Sequence, residues 1–108
     1  MTEVVLVLTT MPDAERAEVF ARTLVFERLA ACVNVLGPMT SVYRWKGEIE
    51  REAERQVVVK TTRGRLAALE ARLRSLHPYE LPEFLVVAVE DGSAAYLKWV
   101  REEQRSEM

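Results

Sequence analysis

Glu48-Ile49-Glu50-Arg51-Glu52-Ala53-Glu54-Arg55-Gln56-Val57-Val58-Val59-Lys60-Thr61-Thr62 contains neither proline nor glycine. As one strand it would extend ~50 Å at ~3.3 Å per residue. A compact domain of about 100 residues has a radius of gyration of only about 13 Å. The strand must therefore overhang its own domain, or bulge and bend. Its outer part, Glu50 to Arg55, is charged, and its inner part, Val57-Val58-Val59, is apolar. The mixed signs of the outer part read as a solvated, salt-bridged face. Before it, Thr40 to Trp45 alternates, which puts Tyr43 and Trp45 on one face. Lys46-Gly47-Glu48 reads as a tight turn around Gly47, closing a long hairpin. An overhanging ribbon leaves backbone groups unpaired at its edges. Neighbouring subunits are expected to pair with it.

The rest of the chain supplies the body from which this hairpin projects. Val4-Val5-Leu6-Val7-Leu8 suits a strand buried on both faces, ended by Thr9-Thr10-Met11-Pro12. Asp13 can cap a helix from Ala14 to Ala30, whose apolar positions Ala17, Phe20, Ala21, Leu24 and Val25 recur at helical spacing. Cys32 to Leu36 returns to a strand pattern, interrupted at Gly37-Pro38. Arg63-Gly64 leads into a second helix lined by Leu66, Leu69, Leu73 and Leu76, and Pro78 stops it near His77. Phe84 to Val89 is a further strand. Ser93 can cap a last helix with Tyr96, Trp99 and Val100 on its inner face, and the charged tail from Arg101 to Met108 is expected to fray. With Cys32 to Trp45 counted as one broken strand, the order is βαββαβα. This is an α+β, ferredoxin-like βαββαβ arrangement with a long β-hairpin and an extra C-terminal helix. The fold itself hosts unrelated functions.

Composition narrows the class. The 108 residues suit one domain, 1–108, with an adequate core. Fifteen basic and seventeen acidic residues give a net charge of −2, against a nucleic-acid or membrane partner. The single cysteine, Cys32, precludes an internal disulfide and fits a reducing cytoplasm. The N-terminal apolar run is too short for a signal peptide or a membrane span. Catalytic motifs such as a Gly-rich phosphate loop, His-Glu-x-x-His or a nucleophile elbow are absent, so no enzyme is expected.

The chemistry concentrates in His77-Pro78-Tyr79-Glu80-Leu81-Pro82-Glu83, where two prolines stiffen a loop around the only histidine. Imidazole suits copper or zinc, and Glu80 and Glu83 lie close in sequence. Equally, His77 can end the second helix and hydrogen-bond across a subunit interface. Cys32 offers a soft thiolate for copper(I), or is a small core residue. Tyr43, Trp45, Lys60 and Tyr79 are candidates for an intersubunit cleft; interface burial, and for Lys60 an ion pair, are the competing roles.

Five blocks occur in order along the chain. They are Glu27-Arg28-Leu29-Ala30-Ala31-Cys32-Val33-Asn34, Ser41-x-Tyr43-x-Trp45-x-Gly47-x-Ile49, Lys60-Thr61-Thr62, His77-Pro78-Tyr79-Glu80-x-Pro82-Glu83, and Gly92 with Tyr96-Leu97-x-Trp99. Together they resemble the CutA divalent-cation-tolerance family over nearly the whole chain. The resemblance implies a homotrimer, similar in fold and arrangement to PII signal-transduction proteins. It also implies a role with copper or another divalent cation and no required cofactor, and no enzymatic activity is established for the family it resembles. Some bacterial members carry a cysteine near the end of the first strand and a His-His pair before Pro-Tyr. This chain has Thr9 or Thr10 at the first place and Leu76-His77 at the second. A PII-like sensor binding a small molecule in the cleft is the alternative reading.

Overall fold

In the computed structural model, which describes residues 2–105, β4 runs unbroken from Glu48 to Thr62. Its outer half pairs with β3 (Met39–Trp45), from Trp45 opposite Glu48 to Met39 opposite Glu54. Its inner half pairs with β2 (Cys32–Val35), from Cys32 opposite Lys60 to Val35 opposite Val57. Between Val35 and Met39 the chain spends one residue more than β4 does between Val57 and Glu54. The surplus is taken up as a bulge at Gly37-Pro38, where Gly37 has φ +141°. One strand with a break is therefore an apt description of Cys32 to Trp45. Lys46 (φ +50°) and Gly47 (φ +83°) form the two-residue turn, in the left-handed geometry whose twist matches that of a hairpin. The hairpin draws the molecule out to 44 × 27 × 22 Å.

β1 (Val4–Met11) lies between β4 and β5 (Leu85–Ala88), giving the antiparallel order β2-β4-β1-β5. The strand does not end at Leu8. Thr9, Thr10 and Met11 pair with Val57, Gln56 and Arg55, because β4 is long enough to template them. β1 is buried more completely on one face than on the other, where Val4 and Thr10 are buried but the residues between them less so. Val5, Val7, Thr9 and Met11 face α1 (Ala14–Phe26) and α2 (Leu66–Leu76) and are fully buried. Leu6 and Leu8 point to the opposite face and are only half-buried.

Asp13 caps α1 by accepting from the Arg16 N–H at 2.8 Å. This helix stops at Phe26, not Ala30, and Arg28 turns the chain with φ +59°. α2 presents Leu69 and Leu73 to the core, flanked by Leu66 and Leu76, and ends at His77. Ser93 caps α3 (Ala94–Glu103). Only Val100 of its three expected inner residues is buried; Tyr96 and Trp99 are exposed, because α3 covers just the end of the sheet where Val4 and Ala31 lie. The tail stays helical to Glu103, and Gln104 is buried, accepting from the Thr62 hydroxyl at 2.9 Å. The expected fraying beyond residue 105 lies outside the described residues. Among the described residues no helix is long and apolar enough to cross a membrane.

Candidate functional site

His77 ends α2 and turns its ring back into the protein. Its Nε2 lies 2.7 Å from the Thr10 carbonyl, and its Nδ1 accepts from the Tyr79 N–H at 3.1 Å. A carbonyl only accepts, so Nε2 carries the proton and Nδ1 is the lone-pair nitrogen. Both ring nitrogens are thus committed to backbone. Burial holds the imidazole pKa below its ordinary value, against the opposing pull of Thr10 and Glu54. This is the helix-ending role for His77, realised within the subunit.

Anchored at His77, the loop carries Tyr79 towards the hairpin. The two rings pack at 4.8 Å, and the Tyr79 hydroxyl donates to Glu54 Oε2 at 2.6 Å. Burial, the Glu54 hydrogen bond and the Glu54 charge push the phenol pKa far above its usual value. Further along, Gln56 Nε2 donates both to the Thr9 carbonyl (2.6 Å) and to Glu83 Oε2 (3.1 Å). Loop and hairpin so enclose a cleft of about 790 Å³.

Of the sequence candidates, Tyr43, Trp45, Tyr79, Glu80 and Glu83 line this cleft. His77 braces its wall from behind. Cys32 and Lys60 stand opposite each other on β2 and β4, on the sheet face that α1 and α2 leave open. They are four residues along β4 from Gln56, about 13 Å, so they do not join the cleft. There Lys60 Nζ lies 5.8 Å from the Tyr96 ring. Glu80 sits at the rim, 3.8 Å from Lys46 Nζ. Among the described residues no three His, Cys, Asp or Glu side chains gather as a metal-binding set.

Glu52 and Glu54 also line the cleft, and were hidden by the apparent mixture of signs in Glu48 to Arg55. Read with the strand period of two, Glu48, Glu50, Glu52 and Glu54 share one face, and Arg51 and Arg55 the other. The stretch is sorted by sign, not mixed.

The family model described as CutA1 divalent ion tolerance protein matches residues 5–103. The divalent-cation tolerance protein CutA of Thermus thermophilus is 45% identical over 102 residues, 94% of this chain and 97% of that one. The human protein CutA is 44% identical over 93 residues, 86% of this chain but 52% of the human one. A crystal structure of CutA from Xylella fastidiosa superposes with TM-score 0.93 at 44% identity, covering 96% of this chain and 100% of that one.

Proposed function

Since the chain belongs to the CutA1 divalent ion tolerance family, we propose that it serves divalent-cation tolerance as a homotrimer of ferredoxin-like subunits, arranged like PII proteins. Copper or another divalent ion is contacted by the cleft carboxylates, Glu80 and Glu83 foremost. The observation that carries this reading is the cleft's charge. Among the described residues its lining includes four carboxylates and no lysine, arginine or histidine. With His77 committed to Thr10 and Tyr79, carboxylate oxygens are the charged donors that remain in the lining, and they suit harder divalent ions. An ion held here completes its shell with water or with donors of a neighbouring subunit, and exchanges readily. The trimer is supported by the open sheet face, where Leu85 and Val87 are 56% and 41% exposed, and by the unpaired outer edge of β4. The unpaired thiol of Cys32 favours the cytoplasm as compartment. The reading is one of binding, not catalysis: both His77 ring nitrogens are held by backbone groups, and the Tyr79 hydroxyl is held by Glu54.

Native mass spectrometry with and without copper(II) tests both parts. The expected result is a trimer taking up a whole number of ions, with uptake reduced in Glu80→Gln/Glu83→Gln and retained in His77→Gln. Loss of uptake on changing His77 alone would return the ligand role to the imidazole. A monomer in every sample would sink the trimer.

A second reading is favoured by the size and lining of the cleft. About 790 Å³ walled by Tyr43, Trp45 and Tyr79 is the form of a small-molecule site. Stabilisation by a metabolite, and none by metal, would select it.

A further inference from the structure

Glu54 is the least expected residue of the cleft. Its side chain belongs to the charged half of a surface hairpin, yet the residue is only 8% exposed. Its Oε2 accepts from Tyr79, and among the described residues no other hydrogen bond or ion pair reaches it. Among the described residues no cationic side chain pairs with it. The strand register prevents its own neighbours from supplying one, since Arg51 and Arg55 point to the opposite face. Lys46 stays at the rim with Glu80. Gln56 brings only a neutral amide, already shared between Thr9 and Glu83.

We infer that the cleft receives a small organic cation bearing N–H donors, an alkylammonium or guanidinium group, anchored on Glu54 and flanked by aromatic rings. The inference rests on the second reading above, that the cleft is a small-molecule site, and names its ligand class. Three observations converge on it. Tyr43, Trp45 and Tyr79 put aromatic rings in the lining, and such rings attract cations, as Lys46 Nζ, 5.5 Å from the centre of the Trp45 ring, already does. The carboxylates are distributed along two walls, Glu52 and Glu54 on the hairpin and Glu80 and Glu83 on the loop, and do not gather into one coordination set. That spread leaves room for an extended cation with donors at both ends. Finally, the field is felt inside the cleft: the Tyr43 hydroxyl is pushed up by burial and then by Glu52, Glu50 and Glu54.

Titration calorimetry of the full chain with agmatine, which carries a guanidinium and an ammonium, tests this at low salt without divalent metal. Saturable binding is expected, weakening as salt rises. Glu54→Gln, which keeps an oxygen for the Tyr79 hydroxyl, should weaken it roughly ten- to hundredfold, the worth of a charge-assisted hydrogen bond. Equal affinity in wild type and Glu54→Gln would overturn the inference. If agmatine and putrescine give no heat while an anionic probe such as ATP raises the thermal midpoint, the ligand class is wrong and the small-molecule reading stands. If none of these probes binds, both fall. If Glu54→Gln instead dissociates the oligomer in native mass spectrometry and agmatine does not bind, the missing cation is a neighbouring subunit's, which also overturns it.

Discussion

The Tyr79 hydroxyl donates to Glu54 Oε2 over 2.6 Å, joining the proline-braced loop to the root of the overhanging hairpin. The bond serves both sides. It fixes the loop that walls the cleft, and it supplies the one donor that a deeply buried carboxylate has within the described residues.

Tyr79→Phe should therefore cost more than an ordinary hydrogen bond. It leaves the ring packing on His77 in place and strips Glu54 of its donor. The expected loss is about 1–3 kcal/mol at neutral pH, the desolvation cost of an unsatisfied buried group. Urea unfolding at fixed chain concentration measures it. Adding Glu54→Leu to Tyr79→Phe should recover part of the loss, because the unpaired charge goes too. Additive losses in the double variant would contradict the coupling.

His77 predicts a specific pH dependence. The fold uses the neutral ring, whose Nδ1 must accept from Tyr79, and its folded pKa is lowered, chiefly by burial. Unfolded histidine titrates near ~6.5. The unfolded state thus binds the proton first as pH falls. Stability from this group is complete above ~6.5 and is lost as pH drops from there through the folded pKa. As the only histidine, it should dominate the slope between about pH 5 and 7. Urea midpoints across that range should fall in wild type and stay flat in His77→Gln. Parallel slopes in both proteins would mean that another group is titrating.

The hairpin was legible because its evidence is one-dimensional. A proline-free, glycine-free run and a Lys46-Gly47 turn suffice to define an overhanging ribbon, and the leucines of α2 suffice to define its buried face. The residues that failed were those decided by what covers them. Leu6 and Leu8 have the same character as Val5 and Val7, and only the placement of α1 and α2 separates the buried pair from the half-buried one. Tyr96 and Trp99 look like core residues of α3 until its seat at the sheet's end is known. At the cleft, the proline loop announced itself through composition, while Glu54 did not. Its burial depends on Tyr79 arriving from twenty-five residues away in sequence. The sorting of charges on β4 lay within reach of the sequence, through the strand period alone.

Gly37 should tolerate no side chain. At φ +141° it occupies backbone space that L-residues rarely adopt, and an added Cβ would run into Cδ and Nε of Arg55. Gly37→Ala should cost about 1–3 kcal/mol, combining backbone strain with displacement of that side chain. Gly47→Ala is the control. It has positive φ but open space around it, so only the backbone part, about 1 kcal/mol, is expected. Equal urea midpoints for the two variants would show that the Arg55 contact at the bulge carries no energy.

Thr9 offers a gain instead of a loss. It lies on the helix-covered face of β1, fully buried, and its Oγ1 finds no hydrogen-bond partner among the described residues. A hydroxyl left dry forfeits its solvation and returns nothing. Thr9→Val exchanges it for a methyl of nearly the same shape and keeps the backbone carbonyl that Gln56 needs. We expect stabilisation of about 0.5–2 kcal/mol, from the lost desolvation penalty and the added apolar burial. Thr9→Ala should do the reverse, since the cavity it opens next to Val57 and Met11 outweighs removal of the hydroxyl. Urea unfolding of the three proteins orders them Val, Thr, Ala. The order Thr, Val, Ala would mean that a buried water satisfies the hydroxyl, and the core at this point would then be wet where its neighbours Val7, Val57 and Met11 are dry.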